Sequence, residues 1–145
     1  MTTPPPENSA PVIAARDLTL TIGSTAILKG IDLTVAPGET LALLGHSGSG
    51  KSSLMAVLSG LERASGGSLN VAGADFAALD EDALALARRG RIGIVLQAFH
   101  LLPTMTAHEN VATPLELAGV ADAWDIAARE LDAVGLGHRL DHYPT

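Results

Sequence analysis

Hydrophobic and polar positions change rhythm several times along the chain, and each change marks an element. Val12-Ile13 opens the first apolar stretch, after which Leu18, Leu20 and Ile22 alternate with Asp17, Thr19 and Thr21. Gly23-Ser24 offers a turn before Ile27-Leu28, and Ile31, Leu33 and Val35 alternate again. Alternation with period two buries one face of a strand, so this region predicts an antiparallel β layer. Pro37-Gly38 punctuates the chain, and Thr40-Leu41-Ala42-Leu43-Leu44 follows as a continuous apolar run, the pattern of a buried parallel strand. Leu54, Leu58 and Leu61 then recur at helical spacing, and Gly66-Gly67 opens a short strand, Ser68 to Val71, that ends at Gly73.

The second half reads as helices around one more strand. Asp80-Glu81-Asp82 precedes Ala83, Leu84, Leu86 and Ala87, with Arg88-Arg89 and Gly90 after them. An N-cap, an acidic start, a basic finish and a terminal glycine together define a helix. Ile92-Gly93-Ile94-Val95-Leu96 is a second continuous apolar run, expected as another buried strand, and it ends at Gln97. Ligands of α/β sheets bind at the carboxyl ends of the strands, which puts Gln97 near the site of any ligand. Thr106-Ala107-His108-Glu109 is a capping box opening a helix that Pro114 should kink. Ala121 to Val134 predicts a further helix closed by Gly135, and Gly137 to Thr145 one more turn before Tyr143-Pro144. Met1 to Pro11 is rich in Pro, Ser and Thr and is expected to be a disordered lead-in to an ordered domain over residues 12–145.

Chemistry enters between the run at Thr40 to Leu44 and the helix that follows it. Gly45-His46-Ser47-Gly48-Ser49-Gly50-Lys51-Ser52-Ser53 fits the phosphate-cradling pattern G-x-x-x-x-G-K-[ST] at every fixed position. Glycines let backbone approach an anion, while successive N–H groups and the helix N-terminus face the phosphates. Lys51 is expected to reach the β and γ phosphates, and the Ser52 hydroxyl to ligate Mg²⁺, a hard cation that takes oxygen ligands. His46, at a variable position, is expected to face solvent. A flexible Gly/Ser loop is the bland alternative, but such a loop seldom combines an apolar run, Lys-Ser and a helix in this order.

Other constellations carry less. Phe76 to Glu81 imitates the apolar strand ending in an acid that holds Mg²⁺ in many ATPases, yet Asp80 sits where the next helix needs its cap. His138 and His142 stand four apart with no third ligand beyond Asp141, so they read as surface histidines. His100 and His108 show no evident partner in the sequence, and Trp124 reads as helix packing. Composition narrows the field further. The net charge of −7 argues against a nucleic-acid partner. The absence of cysteine removes disulfides and thiolate metal sites and suits the cytosol. No apolar run approaches the roughly 20 residues that span a bilayer, and the first residues lack a signal sequence, so a membrane link is expected only through a partner.

The phosphate loop, Gln97 after its apolar run, and Phe99-His100-Leu101-Leu102-Pro103-Thr104 together resemble the ATP-binding subunit of ABC transporters. Leu61-Glu62 with Ser65-Gly66-Gly67, Leu79-Asp80, and Glu109-Asn110-Val111 with Pro114-Leu115 extend the match from about Leu18 to Thr145. The run from Phe99 to Gly119 looks most like the lipoprotein-releasing and macrolide-exporting branch. The resemblance implies an α/β fold, a partial P-loop NTPase core with an N-terminal antiparallel β layer and the start of a helical subdomain. It implies ATP and Mg²⁺ as ligands, held by Gly45, Ser47, Gly48, Ser49, Gly50, Lys51, Ser52 and Ser53. Gln97 corresponds to the glutamine that completes the Mg²⁺ and water shell and acts in catalysis, and Ala98 to Asn110 would face a transmembrane permease subunit. A second ATP-binding subunit would complete a head-to-tail dimer at the cytoplasmic face of the membrane, with no nucleic acid.

Two departures qualify the match. An aromatic residue usually stacks on adenine just before a glycine in the first hairpin, and here Ile22 precedes Gly23, an aliphatic cover without aromatic stacking. The sequence also stops at His142-Tyr143-Pro144-Thr145, where the family pattern enters its Leu-Ser-Gly-Gly signature. The expectation is therefore a portion of such a subunit that binds nucleotide and does not turn it over alone. A non-catalytic nucleotide-binding or regulatory fragment that binds the membrane partner without hydrolysis is the alternative. A soluble ATPase of the same superfamily, acting in DNA repair or translation, fits the acidic charge less well.

Overall fold

Alternation along the first strand is broken once, and the break explains how its apolar residues share a face. In β1, Ile13–Ile22, the buried residues are Ala15, Leu18 and Leu20, a step of three followed by a step of two. A strand with period two keeps Ala15 and Leu18 on one side only if an extra residue is inserted between them. A computed structural model, describing residues 10–96, 98 and 100–145, contains that bulge. Register shifts between Ala15 and Leu18, where Asp17 takes a left-handed φ of 47° and its N–H donates to Asp32 Oδ1 at 2.8 Å. Gly67 faces the bulge from the neighbouring strand so closely that a Cβ there would collide with the Asp17 carbonyl.

β2, Thr25–Val35, folds back across Gly23-Ser24 and pairs antiparallel with β1, Ile22 opposite Thr25 and Ile13 opposite Val35. β3, Gly66–Val71, pairs with the other edge of β1, and the two-residue β4, Ala74–Asp75, hairpins onto β3 through Ala72-Gly73. The order is β2-β1-β3-β4, antiparallel throughout. Helix α1, Lys51–Leu58, buries Leu54, Val57 and Leu58 in the same cluster as Leu18, Leu20, Leu28, Leu69 and Val71. Leu61, expected to continue that stripe, lies beyond the helix end at Ser59 and Gly60 and is exposed. Helix α2, Glu81–Arg88, starts as expected, with Asp80 Oδ1 accepting from Ala83 N–H at 2.8 Å, and Arg88 at its end donates to the Gly60 carbonyl. No polar side chain is fully buried among the described residues, so the cohesion of this layer is apolar burial, with about 2–5 kcal/mol expected for truncating Leu18 to Ala.

The two apolar runs expected as buried strands are corrected by the structure. Neither Thr40–Leu44 nor Ile92–Leu96 pairs with a strand among the described residues. Leu43 and Ile92 lean on the apolar cluster, but Leu44 is 91% exposed and Val95 wholly so. A continuous apolar run becomes a parallel strand only when neighbouring backbone satisfies its N–H and C=O groups, and no described segment supplies that backbone.

The chain divides into two compact units between Gly93 and Ile94. In the second, helix α3, Ala107–Leu117, packs against helix α4, Ala123–Ala133. Ala123, Ala127 and Leu131 form one buried stripe on α4, and Ala112 is fully buried on α3. Small residues let the helices approach closely. Pro114 sits inside α3 without ending it, while Thr113 Oγ1 donates to the Glu109 carbonyl at 2.7 Å. Gly135, at φ 77°, terminates α4 where the sequence placed the stop, and a 3₁₀ turn follows at Gly137–Arg139. No helix among the described residues is long and apolar enough to cross a membrane. The expected disordered lead-in falls largely on residues 1–9, outside the described residues.

Candidate functional site

After β2 the chain turns at Pro37-Gly38, where Glu39 Oε2 accepts from Ala36 N–H at 2.7 Å, and runs to the loop at Gly45. Gly48 and Gly50 adopt left-handed φ values of 79° and 88°, which residues with a Cβ reach only at a cost. Gly50 is also the N-cap of α1, its carbonyl accepting from Leu54 N–H at 2.8 Å. That helix has no side-chain cap and no acidic residue in its first turn. The amides of Lys51, Ser52 and Ser53 therefore carry the positive end of the helix dipole with no carboxylate of the loop competing for them.

Lys51 closes the loop into a ring. Its Nζ donates to the carbonyls of Gly45 at 2.9 Å and His46 at 2.6 Å, and to Ser49 Oγ at 3.3 Å. Ser49 N–H in turn donates to the His46 carbonyl at 3.3 Å. The cation is thus tethered to the start of the loop whose end it occupies. Ser47 and Ser52 are exposed, the latter leaving its hydroxyl available as an oxygen ligand. Chemically, the ring offers N–H donors, one ammonium and serine hydroxyls, a set that matches a phosphate chain and its hard cation.

The β1–β2 hairpin braces this loop from the side, which nothing in the hydrophobic pattern announced. A methyl group added at Gly50 would lie 3.3 Å from the Ile27 carbonyl and 3.3 Å from Leu28 Cδ2. Ile22 sits at the tip of the same hairpin, opposite Thr25, with 55% of its surface exposed. Gln97 lies outside the described residues.

A family model described as ABC transporter matches residues 28–144. The chain belongs to the ABC transporter family. The methionine import ATP-binding protein MetN of Brucella abortus is 44% identical over 142 residues, which is 97% of this chain and 38% of that protein. The lipoprotein-releasing system ATP-binding protein LolD of Geobacter metallireducens is 48% identical over 139 residues, 92% of this chain and 62% of that protein. The macrolide export ATP-binding/permease protein MacB of Marinobacter nauticus is 46% identical over 140 residues, 92% of this chain and 22% of that protein. The chain therefore spans less than two thirds of the length of each of these relatives. Its fold is part of that of an ATP-binding cassette: the dimeric cassette MJ0796, solved in a post-hydrolysis state with ADP and Pi, superposes with a TM-score of 0.82 at 30% identity, covering 91% of this chain and 61% of that one. Both the lipoprotein-releasing and macrolide-exporting branch and an import protein stand among these similar ABC proteins.

In the second unit Leu102 to Thr106 are fixed by side-chain hydrogen bonds. Asn110 pins them: Oδ1 accepts from Leu102 N–H at 2.8 Å, and Nδ2 donates to the carbonyls of Leu102, Met105 and Thr106 at 3.2, 3.0 and 2.9 Å. The capping box forms in both directions, Thr106 Oγ1 accepting from Glu109 N–H and Glu109 Oε2 accepting from Thr106 N–H. These bonds hold the Glu109 carboxyl below its ordinary value of 4.5, the Thr106 N–H contributing most and its hydroxyl next. The Ala107 and His108 amides are met by the carbonyls of His142 and Leu140 at 2.8 and 3.0 Å. His108, given no partner in the sequence, has one here: Nε2 donates to the Trp124 carbonyl at 2.8 Å, and the two rings meet edge to face with centroids 5.0 Å apart. Trp124 Nε1 donates to Glu116 Oε1 at 2.8 Å, so the tryptophan, expected as helix packing, lies partly exposed and bridges α4 to α3. His138 touches Arg139 rather than a ligand set, and no group of metal-ligating side chains occurs among the described residues.

Proposed function

We propose that this chain supplies the nucleotide-binding face of an ABC transporter ATP-binding subunit, coupling ATP binding and hydrolysis to transport across a membrane. The observation that carries this reading is the ring of Gly45–Ser53, closed by the Lys51 ammonium and opening onto the uncapped N-terminus of α1. The backbone amides of residues 48–53 would hold the β and γ phosphates, with Ser47 at the rim. Lys51, whose three N–H donors are engaged by the Gly45 and His46 carbonyls and Ser49 Oγ, would exchange these partners for phosphate oxygens while staying within the loop. Ser52 Oγ and Gln97 are the groups that would hold Mg²⁺, which when bound neutralises charge on the β and γ oxygens. Gln97 would also orient the attacking water. Ile22 would cover one face of the adenine.

The segment Ala98 to Asn110, whose part from Leu102 to Thr106 is pinned by Asn110, would dock on a transmembrane permease subunit. A second ATP-binding subunit would face the loop head to tail, and the chain would sit at the cytoplasmic face of the membrane through its permease. The names of LolD, MacB and MetN, and the dimeric state of the MJ0796 cassette, support these partners.

Calorimetric titration with Mg-ATP tests the reading. The wild-type chain should bind with measurable heat, and Lys51→Ala should weaken binding by about 100-fold, the loss of one charge-assisted phosphate contact. Equal affinity in the two proteins would remove Lys51 from the site.

A further inference from the structure

β3 begins at Gly66, opposite Thr19, too late to pair with Thr21 and Ile22 at the end of β1, yet β1 stays bonded on that side at Thr21. Ser65 accounts for this. Its backbone N–H donates to the Thr19 carbonyl at 2.8 Å, continuing the ladder that pairs Thr19 with Gly66. Its hydroxyl then takes the place of the next strand residue, accepting from Thr21 N–H at 2.8 Å and donating toward the Thr21 carbonyl at 3.4 Å. One short side chain thus satisfies both backbone groups of Thr21. Thr21 immediately precedes Ile22 at the hairpin tip.

We propose that Ser65 is a positioning residue for base recognition: its hydroxyl clamps β1 at Thr21 and so holds Ile22 over the adenine of a bound nucleotide. This rests on the reading of Ile22 as the base cover. The geometry separates two contributions to affinity. Phosphate is held by the loop at Gly45–Ser53, to which Ser65 makes no hydrogen bond, whereas the base depends on the tip that Ser65 fixes. Losing the hydroxyl leaves β1 tied at its end only by the Ile22–Thr25 and Thr21–Ala26 pairing with β2. The tip would then sample more conformations, and ordering it on binding would cost affinity for the base alone.

The test compares Mg-ATP with Mg-tripolyphosphate, which lacks base and sugar, on the full chain. Ser65→Ala should weaken ATP by about three- to tenfold, the range of one net hydrogen bond, and leave tripolyphosphate unchanged. Ser65→Thr, which keeps the hydroxyl, should restore ATP affinity. In an Ile22→Ala background Ser65→Ala should have no further effect, because the two act through one contact. Amide exchange at Thr21, read without nucleotide, should accelerate in Ser65→Ala. An ATP preference in the wild type that Ser65→Ala retains overturns the role of Ser65 alone. Equal affinity of the wild type for ATP and tripolyphosphate overturns the base-cover reading and this proposal with it.

Discussion

Substituting Gly50 and Gly48 by alanine separates backbone strain from steric contact within the same loop. Both glycines are left-handed, at φ 88° and 79°. An alanine held there costs about 1–2 kcal/mol, part of it offset by the stiffer unfolded chain, so roughly 1 kcal/mol net is expected at Gly48. Nothing lies within 4 Å of a Cβ at Gly48. At Gly50 the same methyl would press on the Ile27 carbonyl and Leu28 Cδ2, each 3.3 Å away. Ile27 sits at the register shift between the paired residues Ala26 and Leu28, which limit how far its carbonyl can move, so overpacking adds about 1–3 kcal/mol. Thermal unfolding followed by circular dichroism reads the difference. At about 4–8 °C per kcal/mol for a unit of this size, Gly48→Ala should lower Tm by roughly 5 °C and Gly50→Ala by roughly 10 °C or more. ATP affinity should fall with Gly50→Ala as well, since the hairpin and the loop are pushed apart. Equal melting shifts for the two variants would refute the bracing of the loop by the hairpin.

Three further outcomes follow from the second unit. Thr106→Ala removes an N-cap and should destabilise α3 by about 1 kcal/mol, seen as faster amide exchange at Glu109 and earlier melting. The Glu109 carboxyl titrates below 4.5 in the folded chain, so its contribution is fully present above that value and is lost as pH falls through the lower folded value. Stability curves of wild type and Glu109→Gln should therefore differ at neutral pH and converge in acid; a constant gap would contradict the capping-box origin of the shift. His108→Ala removes the ring that meets Trp124, the single tryptophan of the chain, and should cost about 0.5–1.5 kcal/mol with a red shift of tryptophan emission. Unchanged emission would place the indole elsewhere.

Features with a local physical cause were legible in the sequence. The start of α1 at Lys51 after its glycine-rich loop, the Asp80 cap, the Thr106 capping box, the Gly23-Ser24 turn and the Gly135 stop each depend on residues a few positions apart, and each is where the sequence put it. Features that depend on a distant partner were not. Thr40–Leu44 and Ile92–Leu96 have the composition of buried strands, but hydrophobicity does not supply a backbone to pair with, and neither pairs among the described residues. The bulge at Asp17 needed Asp32 to cap it, the order of Trp124 needed His108, and Ser65 acts on Thr21, 44 positions away. A period-two pattern did hold the clue to the bulge, because Ala15 and Leu18 share a face only with one residue inserted. In the candidate site the glycine-rich loop Gly45–Ser53 could be proposed from sequence, whereas its bracing by Ile27 and Leu28 could not.

The most direct measurement is a titration of the isotopically labelled chain with Mg-ATP, following backbone amide resonances. Phosphate held by the ring of Gly45–Ser53 predicts that Gly48, Gly50, Lys51 and Ser52 shift most and saturably, with the shifts abolished in Lys51→Ala. Saturable binding with those amides unmoved, or no binding at millimolar nucleotide, would contradict the assignment of this loop as the phosphate site.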